Sequence, residues 1–232
     1  RGEINALHRV QAVIEITLDG TILKANSNFL DTLGYSMEEI QGRHHAMFVD
    51  PDVAASQDYK DFWARLGAGE YDAGQYRRLG KDGREIWIQA SYNPVLDCRG
   101  KPSKVVKFAT DITAQKQQAA DVAGQLTAIN TSQAVIEFDL KGRILSANAN
   151  FFAVTGYTLE EVRGRHHALF VLPEERDSAE YRAFWEKLAR GEYDAGRYHR
   201  VGKDGREIWI QASYNPIFDM NGRPFKVVKY AS

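Results

Sequence analysis

The chain has 232 residues and a formal net charge of −1, with hydrophobic residues at 44% and charged residues at 26%. That length holds one large domain or two of about 100–120 residues, and the composition is that of ordinary folded protein. A balanced charge gives no electrostatic basis for nucleic-acid binding, which needs surplus Lys and Arg to neutralise phosphates. No apolar run reaches the ~20 residues of a membrane span.

The chain opens Arg1-Gly2-Glu3-Ile4, with neither Met nor an apolar signal-peptide core. Residues 1–10, with Ile4 and Leu7, read as the end of an upstream helix. Val13–Thr17 is a short strand, Asp19-Gly20 a turn, and Thr21–Lys24 a second strand. From Asn26 the pattern becomes helical, with Phe29, Leu30 and Leu33 on one side, Asn26 or Ser27 as cap and Gly34 as stop. Ser36-Met37-Glu38-Glu39 has the capping-box form and opens another short helix. A longer helix over about Ser56–Leu66 carries Tyr59, Phe62, Trp63 and Leu66 along one side. Strands follow at Tyr71–Leu79, Glu85–Val95 and Lys104–Thr110, separated by the turns Lys81-Asp82-Gly83 and Asp97–Gly100.

All of this then recurs at an offset of 122 residues without a gap. GRHHAMFV at Gly42 returns as GRHHALFV at Gly164, and GEYDAG at Gly69 returns at Gly191. KDGREIWIQASYNP at Lys81–Pro94 is repeated letter for letter at Lys203–Pro216. Two long copies mean a tandem duplication of one domain rather than a solenoid, whose periods are shorter and more numerous. Two strands, short helices and three strands predict an α+β domain, a five-stranded antiparallel sheet with helices on one face and a modest cavity between the layers. The expected organisation is one domain over 11–112, a helical linker over 113–132 and a second domain over 133–232.

This order of elements, with GYS, FW, GE…G…R…KDG…W…P and the closing Asp111-Ile112-Thr113, resembles the PAS domain family, twice over. The GRHHAMFVDP and GEYDAGQYRR wording is similar to PAS sensors of bacterial methyl-accepting chemotaxis receptors, including aerotaxis and biofilm-dispersion types. The resemblance implies a cytoplasmic sensory and dimerisation module, not an enzyme, whose cavity holds a flavin, a haem or a small metabolite, or nothing. It implies a homodimer and a C-terminal signalling domain outside the chain, with Asp111, Ile112 and Thr113 as relay. The reactive cysteine motif of light-sensing flavin PAS domains is absent, GRHHAMF standing in its place.

Several residues are candidates for holding a cofactor. Adjacent histidines point about 100° apart on a helix and to opposite faces on a strand, so His44 and His45 are poorly arranged to grip one metal. One of them, like one of His166 and His167, suffices as an axial haem ligand, and haem PAS domains place a histidine in this region. Trp87, Gln89, Ser91 and Asn93 share one face of a strand, as do Trp209 and Asn215 in the second copy. One large aromatic with several amide and hydroxyl groups suits stacking on and hydrogen bonding to a flavin ring. The resemblance to FAD-binding aerotaxis domains, which carry a tryptophan in this strand and another in the preceding helix, adds Trp63 and Trp185. The other reading of that face is the outer surface of the sheet. FAD is the leading cofactor, haem b the alternative, and a packed, empty interior the third possibility. Arg77, Arg78 and Lys81 lie among Asp72, Asp82 and Glu85 and read as charge pairs on a solvated face.

No catalytic triad, phosphate loop or paired-carboxylate site occurs. Cys98 stands alone, where the second copy has Met220, and reads as a small apolar residue in a reducing compartment. In the linker, Ile112, Ala119, Val122, Leu126 and Ile129 fall at coiled-coil spacing, in an Ala-, Gln- and Lys-rich context that favours helix. Ser232 aligns with Thr110, so a second Asp-Ile-Thr segment and exit helix are expected beyond it.

Overall fold

A computed structural model describes residues 9–232; most of the upstream helix expected over 1–10 lies outside them. The chain divides into two compact units, the second beginning at Val122. In the first, β1 (Ala12–Ile16) and β2 (Ile22–Ala25) are followed by α1 (Ser27–Leu33) and α2 (Met37–Ile40). A 3-10 turn (His45–Phe48), α3 (Pro51–Ala55) and α4 (Gln57–Gly67) come next, then β3 (Asp72–Leu79), β4 (Glu85–Leu96) and β5 (Pro102–Asp111). Every ladder is antiparallel, in the order β2-β1-β5-β4-β3. The last strand therefore lies at the centre, between the first and the fourth.

After α5 (Thr113–Ser132), the second unit repeats the plan with β6 (Ala134–Phe138), β7 (Ile144–Ala147), α6 (Ala149–Thr155), α7 (Leu159–Val162) and a 3-10 turn at His167–Phe170. Then come α8 (Pro173–Arg176), α9 (Ala179–Ala189), β8 (Asp194–Val201), β9 (Glu207–Phe218) and β10 (Pro224–Ala231). Its sheet runs β7-β6-β10-β9-β8, antiparallel throughout.

Local chemistry sets the junctions. Asn26 caps α1 by accepting the Phe29 N–H at 3.0 Å, and the same Oδ1 takes the Val13 N–H of β1 at 2.9 Å. One side chain thus fixes both the helix start and its angle to the sheet. Gly34 ends the helix at φ 77°, the left-handed conformation that glycine adopts without penalty. Ser36 and Glu39 form the expected capping box.

The core lies on one face of the sheet. Ile14, Ile16, Ile86, Ile88, Ala90, Tyr92, Val105 and Ala109 pack against Phe29, Leu33, Ile40, Phe48, Phe62, Trp63 and Leu66 from the helical layer. Strand alternation settles which face of β4 this is. Ile86, Ile88, Ala90 and Tyr92 point to the helices, and Trp87, Gln89, Ser91 and Asn93 point to the other side. The flavin-binding arrangement needs the opposite phase. The inward positions of β4 belong to its apolar residues because the helical layer buries that face.

Candidate functional site

The site is built around the paired histidines. The segment Arg43–His45 is stitched to the β1–β2 hairpin by Ile22 N–H to Arg43 O and His45 N–H to Gly20 O, both at 2.8 Å. The two rings consequently part company. His44 faces the hairpin, its Nδ1 accepting from Ala46 N–H at 3.0 Å and its Nε2 lying 2.9 Å from the Asp19 carbonyl. Those partners assign the Nε2–H tautomer and give the ring a structural task at each nitrogen. Gly20 permits the approach: at φ 91° a Cβ on it would sit 2.3 Å from His44 Nε2.

His45 turns inward and is 0% exposed. Its Nδ1 lies 3.0 Å from Tyr59 Oη of α4 and its Nε2 3.2 Å from Tyr92 Oη of β4. Tyr92 Oη in turn accepts from Arg78 Nη2 of β3 at 2.8 Å. The partners assign a directed chain, Arg78 to Tyr92 to His45 to Tyr59, with the imidazole neutral. Burial pushes the His45 pKa well below its ordinary value, and the charges of Lys107, Arg78 and His44 push the same way. Burial also drives the Tyr59 phenol up to about 12.

Lys107 of β5 completes the interior, its Nζ above the Tyr92 ring at 4.9 Å and the Phe29 ring at 5.6 Å. Burial and the neighbouring Arg78 charge hold this ammonium well below its usual range. The second unit repeats the set. His167 lies 2.8 Å from Tyr181 Oη and 3.0 Å from Tyr214 Oη, Arg200 Nη2 donates to Tyr214 at 3.2 Å, and Lys229 sits 5.0 Å over the Tyr214 ring.

Beside this network the first unit has a solvent-open cleft of about 440 Å³ between α3, α4 and β3, with Val49, Val53, Tyr59, Phe62 and Arg78 in its walls. The second unit has a small, partly enclosed cavity of about 20 Å³ with Arg200 and Lys229 in its lining.

The sequence-based candidates separate into three groups. Trp63 and Trp185 are interior, with Trp63 edge-on to His45 at 5.5 Å and Trp185 edge-on to His167 at 5.5 Å. Trp87, Asn93, Trp209 and Asn215 are on the outer face. Lys116 Nζ lies 5.0 Å over the Trp87 ring, and Trp209 is 70% exposed, stacked on His199 at 4.4 Å. Asn93 and Asn215 brace the outer surface, each donating to a serine two residues earlier at 3.0 Å. A flavin cannot touch both tryptophans of one unit, since the sheet stands between them, and the proposed FAD set does not fit. Haem fits no better as the residues stand: both nitrogens of His45 and of His167 are engaged by tyrosine hydroxyls, and those of His44 by Ala46 of its own turn and by the hairpin carbonyl of Asp19. His166 likewise caps its own turn, accepting from Ala168 N–H at 3.1 Å.

The third group is the exit from the sheet. Asp111 Oδ1 accepts the Thr113 N–H at 2.8 Å, and Thr113 Oγ1 accepts the Trp87 N–H at 2.9 Å. Ile112 N–H closes on Trp87 O at 2.8 Å. Asp111, Ile112 and Thr113 are thereby brought together with the strand whose inner face carries Tyr92.

The interior residues that sequence reasoning missed are Tyr59, Tyr92, Arg78 and Lys107. Arg78 was expected on a solvated face with Arg77 and Lys81. Arg77 is there, paired with Asp50 and Glu85 at 2.5 Å each, and Lys81 pairs with Glu39. Arg78 itself is 6% exposed, because in β3 the even-numbered positions face inward. Lys107 in phase with Val105 and Ala109, repeated as Lys229 in phase with Val227 and Ala231, was the available signal; Arg78, in phase with Gly74 and Tyr76, carried none.

Two units of this topology, each with a polar chain threaded through an aromatic core, define a tandem of α+β domains of one kind. The family model described as the PAS fold matches residues 22–109 and 144–231, and the chain belongs to that family. It is 44% identical over 227 residues to the biofilm dispersion protein BdlA of Pseudomonas aeruginosa, covering 98% of this chain and 54% of that protein. The aerotaxis receptor of Escherichia coli is 30% identical over 104 residues, covering 45% of this chain and 20% of the receptor. The oxygen sensor protein DosP of the same organism is 27% identical over 196 residues, covering 81% of this chain and 24% of that protein. The chain thus spans about half the length of BdlA and a quarter or less of the other two.

Proposed function

We propose that the chain is the sensory segment of a bacterial chemoreceptor that works as a homodimer in the cytoplasm. In this reading a small ligand, oxygen or a redox change alters the interior of a PAS unit, and the change passes through β4 to α5 and on to an effector domain beyond the chain. The similarity to the aerotaxis receptor supports the chemoreceptor context, and that to the oxygen sensor protein supports a sensory role; the similarity to the biofilm dispersion protein extends over almost the whole segment.

The observation that carries the reading is the double tie between Trp87 and the start of α5. Tyr92, five residues along the same strand, touches the buried histidine. A displacement of the Tyr92 hydroxyl acts on a continuous, fully paired strand, and its far end is bonded to the helix that leaves the unit. The other end of α5 is held by Asn148 and Asn150, whose amides donate to the carbonyls of Asn130, Thr131 and Gln133. The helix is anchored at both ends, which suits transmission of a rotation or a register shift.

The test is a chimera in which this segment replaces the matching part of BdlA. Inserting one residue between Ala120 and Asp121 is expected to abolish the dispersion response and inserting seven to restore it, since seven residues return the heptad phase. A response indifferent to both insertions would contradict the relay.

A second reading, a cofactor-free interaction scaffold, is favoured by one observation: the histidine at the centre of each unit has both nitrogens occupied by protein. Under it, a His45→Gln, His167→Gln chimera responds like the parent. The same placement predicts no stoichiometric Soret or flavin absorbance after incubation with haem or FAD.

A further inference from the structure

Both interiors contain cations without counter-charges. Lys107 is 1% exposed and Lys229 3%, and no hydrogen bond to either Nζ occurs among the described residues; each ammonium lies against aromatic rings instead. Arg78 and Arg200, 6% and 8% exposed, spend Nη1 on a carbonyl and Nη2 on a tyrosine hydroxyl, while the buried Nε of each has no partner. None of the ion pairs among the described residues involves any of the four. The arrangement is kept at matching positions of both copies.

An uncompensated charge in an apolar interior is strongly unfavourable. A lysine can escape by losing its proton; an arginine cannot. A guanidinium with a free Nε–H beside an ammonium is a recognition pair for an anion. In the second unit both cations line the same small, partly enclosed cavity of about 20 Å³, with Phe151, Thr155, Phe170 and Ile208 around them. That is room for about one small occupant. In the first unit Arg78 forms part of the wall of the open cleft of about 440 Å³, whose other walls include the apolar Val49, Val53 and Phe62 and whose polar lining includes Asp52 and Asp58.

Lys107 is not among the residues lining that cleft, so the paired site is confined to the second unit. We propose that the interior of the second unit binds a small singly charged anion, a formate-like carboxylate or a halide, held by Arg200 and Lys229. The small volume restricts it to an ion of one to a few atoms. This names the ligand class for the sensory interior and rests on that reading.

Calorimetric titration of the 232-residue chain with sodium formate, sodium butyrate and sodium chloride, each against a Lys229→Met variant at matched salt, tests it. Formate is expected to saturate one site per chain and butyrate none. Lys229→Met loses the formate response, and Lys107→Met keeps it. Chloride matching formate identifies the site with a halide rather than a carboxylate. Replacing a buried ammonium by an apolar chain of similar length preserves the fold, which circular dichroism checks. Where chloride gives saturable heat, crystals grown in sodium bromide are expected to show anomalous density between Lys229 Nζ and Arg200 Nε. The proposal is overturned by absence of saturable heat with both formate and chloride, or by binding that survives in Lys229→Met. Anion binding that leaves the chimera's output unchanged would instead overturn the sensory reading and leave the site standing.

Discussion

His45 and His167 each carry a tyrosine hydroxyl on either nitrogen and have two buried cations nearby. Both are held neutral, with pKa values well below the ordinary histidine value. In the unfolded chain they take up a proton near pH 6.5, while the folded units refuse it. The unfolded state therefore binds more protons as pH falls below about 6.5, and stability is lost in that direction by up to about 1.4 kcal/mol per pH unit for each histidine. Urea unfolding between pH 7.5 and 5 checks this, and His45→Gln should flatten the slope of the first unit. A second consequence follows from Gly20. Gly20→Ala forces a Cβ into the left-handed region and onto the His44 ring, and is expected to cost about 2 kcal/mol. Adding His44→Ala should return part of that loss, because the strain remains and the clash does not. At this scale the sequence was half legible. That the two histidines diverge was readable from side-chain geometry. Which one enters the core was not, since the answer lies in the pairing of Arg43–His45 with a hairpin more than twenty residues away.

Thr113 shows what the element scale adds. Its hydroxyl is both the start of α5 and the partner of a strand N–H, so Thr113→Val leaves the Trp87 amide unpaired. The expected cost is about 1–2 kcal/mol, read from denaturant unfolding of the first unit, with the helix content of α5 reduced in the far-ultraviolet spectrum. α5 buries none of its own residues, and Val122 and Leu126 on its heptad seam are half exposed. The homodimer reading places these two against a second copy. Light scattering across a concentration series is expected to show a dimer, and Leu126→Asp is expected to lower its apparent association constant at least tenfold; an unchanged mass in the variant would remove the seam from the interface. Caps, turns and strand order were legible because Asn26, Gly34 and the Ser36/Glu39 box act within a few residues of themselves. The phase of β4 was not legible. Its two faces, Ile-Ile-Ala-Tyr and Trp-Gln-Ser-Asn, both contain an aromatic ring, and only the helical layer decides between them.

At the scale of the molecule, duplication preserves the polar interior and varies its surroundings. Arg78, Tyr92 and Lys107 have identical counterparts, whereas Ile16 becomes Phe138 and Leu33 becomes Thr155. Phe138 brings a ring to 5.3 Å from His167, and Thr155 bonds back to Phe151 O and lines the small cavity. The two units are thus one chemical plan with different free space at the buried arginine, an open cleft beside Arg78 and a small cavity beside Arg200. The offset of 122 residues made the plan legible, but the free space depends on side-chain packing that no spacing encodes. Coupling between the buried histidine network and α5 is what would make either unit a sensor. Amide hydrogen exchange of the intact chain, wild type against Tyr92→Phe, measures that coupling directly. The substitution removes one hydroxyl from the interior and touches nothing in the helix. Faster exchange at Trp87 and across Ile112–Gln117, with β2 unchanged, is the predicted result; exchange in α5 identical to wild type would show that the interior and the exit helix are independent.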